Sequence, residues 1–186
     1  RDLTYNSNGR GVYSFCMCPG GYVVNASSEK GRLVVNGMSN NDRESGIANS
    51  AIVFSVNESD YGSNLFDGIR FQEKLESVAY RLGNGSIPIQ MYGDYAKCVK
   101  SNSFGSVVPK FMGETCFSDL NLLFSDDINC SIKEAMEYFN YRIKGFSSDD
   151  TVLAGIESRT SSPIKIIRDD SFISNIDGVY PAGEDL

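Results

Sequence analysis

Neither histidine nor tryptophan occurs anywhere in the 186 residues. The missing imidazole excludes Ser-His-Asp and Cys-His catalysis, the two-histidine zinc helix and His-rich metal sites. Each of these needs a side chain that titrates near neutrality or a borderline-soft nitrogen ligand. Proton chemistry must therefore fall to carboxylates, Lys, Tyr or Cys. Positive charge is also short, with 17 Lys plus Arg against 24 Asp plus Glu, a net charge of −7 and a pI near 4.6. That balance excludes nucleic acid as a partner, because its binding rests on cationic neutralisation of phosphates, and it disfavours a membrane surface too. No apolar run approaches the roughly 20 residues of a membrane span, and no basic-then-apolar leader opens the chain. The first residue is Arg1 rather than Met, so the expected reading is a piece of something longer, ahead of a processed product. Cys16, Cys18, Cys98, Cys116 and Cys130 are odd in number and irregular in spacing, which is no disulfide framework, and the sequons at Asn25, Asn57, Asn84 and Asn129 read as chance in an Asn- and Ser-rich chain. A reducing cytoplasm is the expected compartment.

The length suits one domain spanning residues 1–186, large enough to bury roughly 70% of its unfolded surface without staples. Residues 12–18 (VYSFCMC) and 22–27 (YVVNAS) are β-prone runs flanking Pro19-Gly20-Gly21, which reads as a hairpin turn. Residues 32–38 and 50–56 continue the strand pattern across a polar loop at 39–46 long enough to carry function. Two amphipathic helices follow. Leu65, Ile69, Leu75, Val78, Ala79 and Leu82 recur at helical spacing, with Gly83 where a left-handed cap belongs. Ser131 and Glu134 form a capping-box pattern ahead of Ile132, Ala135, Met136, Phe139 and Ile143. A β-like stretch at 87–95 and a short helix at 118–124 lie between them, and strand character returns at 151–156, 163–168 and 178–181. This order predicts an α+β two-layer sandwich: a mostly antiparallel sheet with two main amphipathic helices on one face.

Three runs stand out as carriers of chemistry. Complete nucleotide fingerprints are missing, since Gly9-Arg10-Gly11 and Gly83-Asn84-Gly85 lack a third glycine opening a helix and read as turns. The acidic pairs at 126–127, 149–150 and 169–170 read as solvated caps. The first notable run is Cys16-Met17-Cys18-Pro19-Gly20-Gly21. Residues two apart on a strand share a face, so both thiols would point together beside a glycine turn that admits close backbone approach. It is either a redox dithiol or ligand-contacting edge, or a pair of buried small hydrophobes. The second run, Glu157-Ser158-Arg159-Thr160-Ser161-Ser162-Pro163, either presents donors to a polar or anionic ligand or is a surface loop with a structural Arg. The third, residues 178–184 (GVYPAGE), says by itself only that a strand meets a turn.

Together and in this order, these runs resemble one family. Gly9 to Ser39 (GRGVYSFCMCPGGYVVNASSEKGRLVVNGMS), ANSAIVFSV at 48–56, IKGF at 143–146, ESRTSSPIKIIRDD at 157–170 and NIDGVYPAGE at 175–184 are similar to the C-terminal half of bacterial FAD-dependent dehydrogenases, also called NAD(FAD)-utilising dehydrogenases. In that family a Rossmann-type FAD-binding domain is interrupted by an inserted domain. The resemblance implies that this chain is the inserted, substrate-binding domain of a flavoprotein oxidoreductase. Residues 157–186 would return towards the FAD-binding domain. It further implies that Gly183 and Glu184 contact the FAD ribityl or phosphate region, and that Arg159, Thr160, Ser161 and Ser162 lie near the flavin. Cys16, Cys18, Pro19, Gly20 and Gly21 would then face the flavin across the substrate pocket. The catalytic residue stays unassigned. The implied partners are the remainder of the parent chain and a small-molecule substrate. Without the first G-x-G-x-x-G segment, and ending Asp185-Leu186 where the family continues into a glycine-rich turn and helix, the chain alone is expected neither to bind FAD nor to turn over substrate. The rivals are a non-catalytic interaction or dimerisation module, and a dithiol relay through Cys16 and Cys18.

Overall fold

A computed structural model describes residues 3–162 and 164–182. Nine strands and four helices follow in the order β1 (Leu3–Ser7), β2 (Arg10–Pro19), β3 (Gly21–Asn25), β4 (Val35–Ser39), β5 (Ala48–Phe54), α1 (Glu58–Tyr61), α2 (Asp67–Leu82), β6 (Ile87–Met91), α3 (Tyr92–Ala96), β7 (Phe111–Met112), β8 (Thr115–Phe117), α4 (Asp126–Arg142) and β9 (Val152–Ala154) among the described residues. The predicted short helix survives as one 3-10 turn, Leu120–Leu122. The fold is α+β as expected, and its mostly antiparallel sheet is divided into three small ones ordered β1-β2-β5, β4-β3-β7 and β8-β6-β9. Among the described residues, only the β3·β7 and β6·β8 pairings are parallel.

Burial explains the division. Along β2 the alternation is strict to Phe15: Val12 and Ser14 are buried while Tyr13 and Phe15 face outward. Val12 packs with Leu3 of β1 and with Ala135 and Phe139 of α4, so one face of the first sheet is roofed by that helix. β6 is buried at all five positions, as suits a central strand covered on both faces. Ile87 and Ile89 join Leu75 and Ala79 of α2 and Ile132 and Met136 of α4 in the main core. The apolar face predicted for the second helix is the one buried, apart from Ile143, which is exposed. No helix among the described residues is long and apolar enough to cross a membrane.

Several local expectations are corrected. Pro19-Gly20-Gly21 is not a hairpin: β2 pairs with β1 and β5, whereas β3 pairs with β4 and β7, so the turn carries the chain from one sheet to another. Ser131 and Glu134 do not cap a helix, because α4 begins at Asp126. Ser131 Oγ instead donates to the Asp127 carbonyl one turn back, and Glu134 accepts from Ser7 Oγ at 2.6 Å. The capping box present is Asn57 with Asp60, on α1. Gly83 keeps a right-handed φ of −82°, and Asn84 and Gly85 take the positive values instead. The strand character of 87–95 ends at Met91, where α3 takes over. No strand forms at 164–168 or 178–181. A single antiparallel bridge, Arg168 to Ser174, is what the tail makes, because no sheet edge among the described residues receives it.

Candidate functional site

One large cleft of about 1280 Å³ lies among the three sheets. β5 supplies a long wall. It is the last strand of its sheet, so its outer edge has no partner strand among the described residues and offers backbone N–H and C=O groups along the cleft. Tyr13 and Phe15 of β2 continue the apolar lining, with Phe71 of α2 and Phe111 of β7 further along it. Such a space, mostly apolar with a few polar groups at its margin, has the make-up of a ligand site.

Two of the three singled-out runs meet here. Met17 and Gly21 from the first, and Thr160, Ser161 and Ser162 from the second, line the same cleft, whereas Cys16, Cys18, Pro19, Gly20 and Arg159 are not on its wall. The reason Cys16 and Cys18 do not act as a same-face pair is a β-bulge: pairing runs from Phe15–Ala51 directly to Cys18–Asn49, with Cys16 at a φ of +47°. The Cys18 thiol donates to the Cys16 carbonyl at 3.2 Å, and neither cysteine forms a disulfide.

The glycines of that run are set by close packing. Gly20 has a φ of +61°, and a Cβ there would run into the Arg43 backbone. Asn40 N–H donates to the Gly20 carbonyl at 3.2 Å, so the polar loop 39–46 is seated on this turn. Gly21 abuts the Asn49 side chain, whose amide donates to the Tyr22 and Met38 carbonyls and ties β5 to the second sheet. Glycine is needed in both places because backbone meets backbone or amide with no room for a side chain.

Arg159 sits on the far side of the segment that lines the cleft. Its Nε and Nη2 grip Glu76 of α2 at 2.9 and 3.0 Å, Nη2 also reaches Glu29 at 2.8 Å, and Nη1 donates to Ser28 at 3.1 Å. The Glu76 side chain is only 2% exposed. Its burial pushes the carboxyl up, but the bonds from Arg159 and Ser158 and the nearby positive charges outweigh it, and Glu76 lies below the ordinary carboxylate range. Gln72 of α2 adds bonds to the Ser158 and Ser161 carbonyls. The guanidinium thus moors the 158–161 stretch to the helix and leaves Thr160, Ser161 and Ser162 at the cleft margin.

Sequence reasoning includes Glu157 as the first residue of the second run but gives it no role of its own. It lines the cleft, is half-buried, and burial raises its carboxyl above the ordinary range. Nothing local distinguishes it from a surface glutamate, so only the fold exposes it. Of the third run, Tyr180 is exposed and the Pro181 carbonyl accepts from Arg168 at 2.7 Å, while Gly183 and Glu184 lie outside the described residues.

Nothing in the described residues forms a pyrophosphate cradle. α2 and α4 open with Asp67 and with Asp126 and Asp127, whose charge opposes an anion at either helix mouth, and Arg159 is committed to two glutamates. The described residues therefore do not by themselves fit the pyrophosphate of a dinucleotide.

A family profile described as FAD-dependent protein, C-terminal domain-like, matches residues 2–160. A Clostridium beijerinckii protein carrying the name Uncharacterized protein is 45% identical over 188 residues, an alignment that takes in 98% of this chain and 35% of the relative. The chain spans about a third of the length of that relative.

Proposed function

The chain belongs to the FAD-dependent protein, C-terminal domain-like family, and from that premise we propose that it is the inserted, substrate-facing domain of a flavin-dependent oxidoreductase of the dehydrogenase kind. FAD, bound by the remainder of the polypeptide, supplies the redox chemistry; this chain supplies the cleft that receives a small-molecule substrate. The observation that carries the reading is the 1280 Å³ cleft, on whose wall Gly21 and the Thr160, Ser161 and Ser162 stretch converge from distant parts of the sequence. In this reading the three hydroxyl residues face the flavin, Arg159 positions them through Glu76, and the turn at Pro19 and Gly20 sets the opposite rim.

Residues from 157 onward return to the FAD-binding part. Supporting this, the family match ends at 160, and the stretch beyond it carries Ile166, Ile167, Phe172, Ile176, Val179 and Tyr180 exposed. The whole chain exposes 11215 Å², against about 8,800 Å² for a compact monomer of its mass. Those exposed side chains also favour the second reading, an interaction or dimerisation module, and sedimentation of the chain alone separates the two.

The test uses the longer polypeptide with Ala51→Trp, which fills the cleft from β5. A yellow protein is expected, with FAD content unchanged by the substitution and the flavin absorption and fluorescence shifted. A protein that takes up no FAD refutes the flavin assignment. Bound FAD whose spectra are indifferent to Ala51→Trp refutes the placement of the cleft against it.

A further inference from the structure

We propose that Glu157 is the recognition residue of the cleft, selecting a ligand whose largely apolar body carries one cationic or strongly hydrogen-bond-donating head, of the amidinium or ammonium kind. The proposal rests on the cleft reading above and adds the chemical class of its ligand.

The case is one of elimination between the two carboxylates that line the cleft, Asp150 and Glu157. Asp150 is occupied by Ser106, accepting from its N–H at 3.0 Å and from its hydroxyl. Gln72 donates to the Ser158 and Ser161 carbonyls, and Ser158 Oγ donates to Glu76 at 2.7 Å. Glu157 lies among these groups, half-buried on the cleft wall, and no hydrogen bond or ion pair from the described residues reaches its carboxylate. Lys110 and Lys144 line the same cleft, yet neither makes an ion pair with it, and burial alone perturbs it, with no neighbouring charge contributing.

The Glu157 oxygens still reach solvent, so a carboxylate half-stripped of water and left without a partner among the described residues is open to one that arrives from outside. Its backbone is also fixed on both sides. The Ile156 carbonyl accepts from Val35 N–H at 2.9 Å, and Ser158 is held by Gln72 and Glu76. The carboxylate is thereby presented in advance, at little ordering cost to a ligand. Partial burial lowers the polarity around the carboxylate and so strengthens a charge-assisted bond to a cationic head.

Three probes of one shape test this in the longer polypeptide: 4-aminobenzamidine (cationic), 4-aminobenzamide (neutral) and 4-aminobenzoate (anionic), titrated calorimetrically into the unmodified protein and Glu157→Gln. The expected result is an amidine preference over the benzoate of about tenfold or more in the unmodified protein, lost in Glu157→Gln, while the neutral amide binds both within about twofold. Retained amide binding certifies that the variant is folded. Unchanged amidine affinity in Glu157→Gln, or an equal loss for all three probes, overturns the assignment and leaves the cleft reading standing. Failure of all three to bind the unmodified protein overturns the ligand class assigned to Glu157, while the Ala51→Trp spectra decide the cleft reading separately.

Discussion

The region built on α2, β6 and α4 and the tail at 164–182 treat their apolar residues in opposite ways. In the first, Phe139, Ile87, Ile89 and Met136 are almost wholly buried, and the polar groups enclosed with them are paired. Gln90, fully buried, accepts from Leu120 N–H and donates to the Val99 carbonyl, both at 2.7 Å. In the second, Ile167 is 80% exposed and Phe172, Ile176 and Tyr180 are each well exposed, while backbone order rests on one bridge and a few turns. Composition does not distinguish the two, since both are rich in Ile and aromatic residues. What differs is whether a second surface is at hand, and for the tail that surface is the one we assign to the FAD-binding part of the longer polypeptide.

The contrast is broken most directly by removing one apolar side chain from each region. Phe139 is fully buried and stands edge-on to Phe146 at a centroid distance of 5.6 Å. Phe139→Ala is expected to cost about 4 kcal/mol in urea unfolding, the transfer and cavity loss of a large core side chain. Ile167→Ala should cost under about 0.5 kcal/mol in the chain alone, and about 1–2 kcal/mol in the longer polypeptide, where the side chain would be covered. Equal, small Ile167 effects in both contexts would mean that the tail does not dock.

A smaller effect probes the seam between the regions, where Arg159 holds residues 158–161 to α2. Arg159→Ala leaves Glu76 ionised and enclosed with only the Ser158 hydroxyl, and should destabilise by about 3 kcal/mol near neutral pH, at the low end for a broken buried pair because the guanidinium itself is 42% exposed. The sign with pH follows from the lowered Glu76 carboxyl. Its contribution is present above the unfolded-state value and is lost as pH falls through the lower, folded one. In Arg159→Ala, burial of Glu76 is opposed only by the Ser158 bond and the charge of Arg32, so protonation relieves the variant. The gap in urea midpoint between the two proteins should therefore narrow below about pH 4.5. A gap independent of pH would show that Arg159 acts through packing rather than charge.

How far these features could be read from sequence depends on whether they are set locally. The two long helices were legible because burial of one face imposes its period on neighbouring residues, and Leu75, Ala79, Ile132 and Phe139 carry that period. The Ser131 and Glu134 spacing misled because the same residues serve inside a helix, one bonding a carbonyl one turn back and the other reaching Ser7 in β1. The tail at 164–168 and 178–181 has strand-like residues but pairs with no sheet edge among the described residues, and pairing is not written in the strand itself. At the site, the hydroxyl stretch and the glycine turn were visible as unusual runs. Glu157 stood in the hydroxyl-rich run, but its want of a partner among the described residues was not legible, because that is a property of the whole fold.

The smallest of the three effects concerns backbone rather than side chains and separates conformation from packing. Gly20 and Gly178 both hold left-handed φ values, +61° and +77°, one beneath the loop at 39–46 and the other in the tail with nothing near the place of a Cβ. Gly178→Ala meets only the left-handed penalty and should cost about 1 kcal/mol, the lower end of that penalty. Gly20→Ala meets that penalty and must also displace the Arg43 backbone, for about 2 kcal/mol in total. Amide exchange then reads the consequence: Asn40 N–H, which donates to the Gly20 carbonyl, should lose protection in Gly20→Ala and keep it in Gly178→Ala. Equal costs for the two, with Asn40 unaffected, would mean that the loop yields freely and that the turn at Pro19 and Gly20 does not fix the cleft's rim.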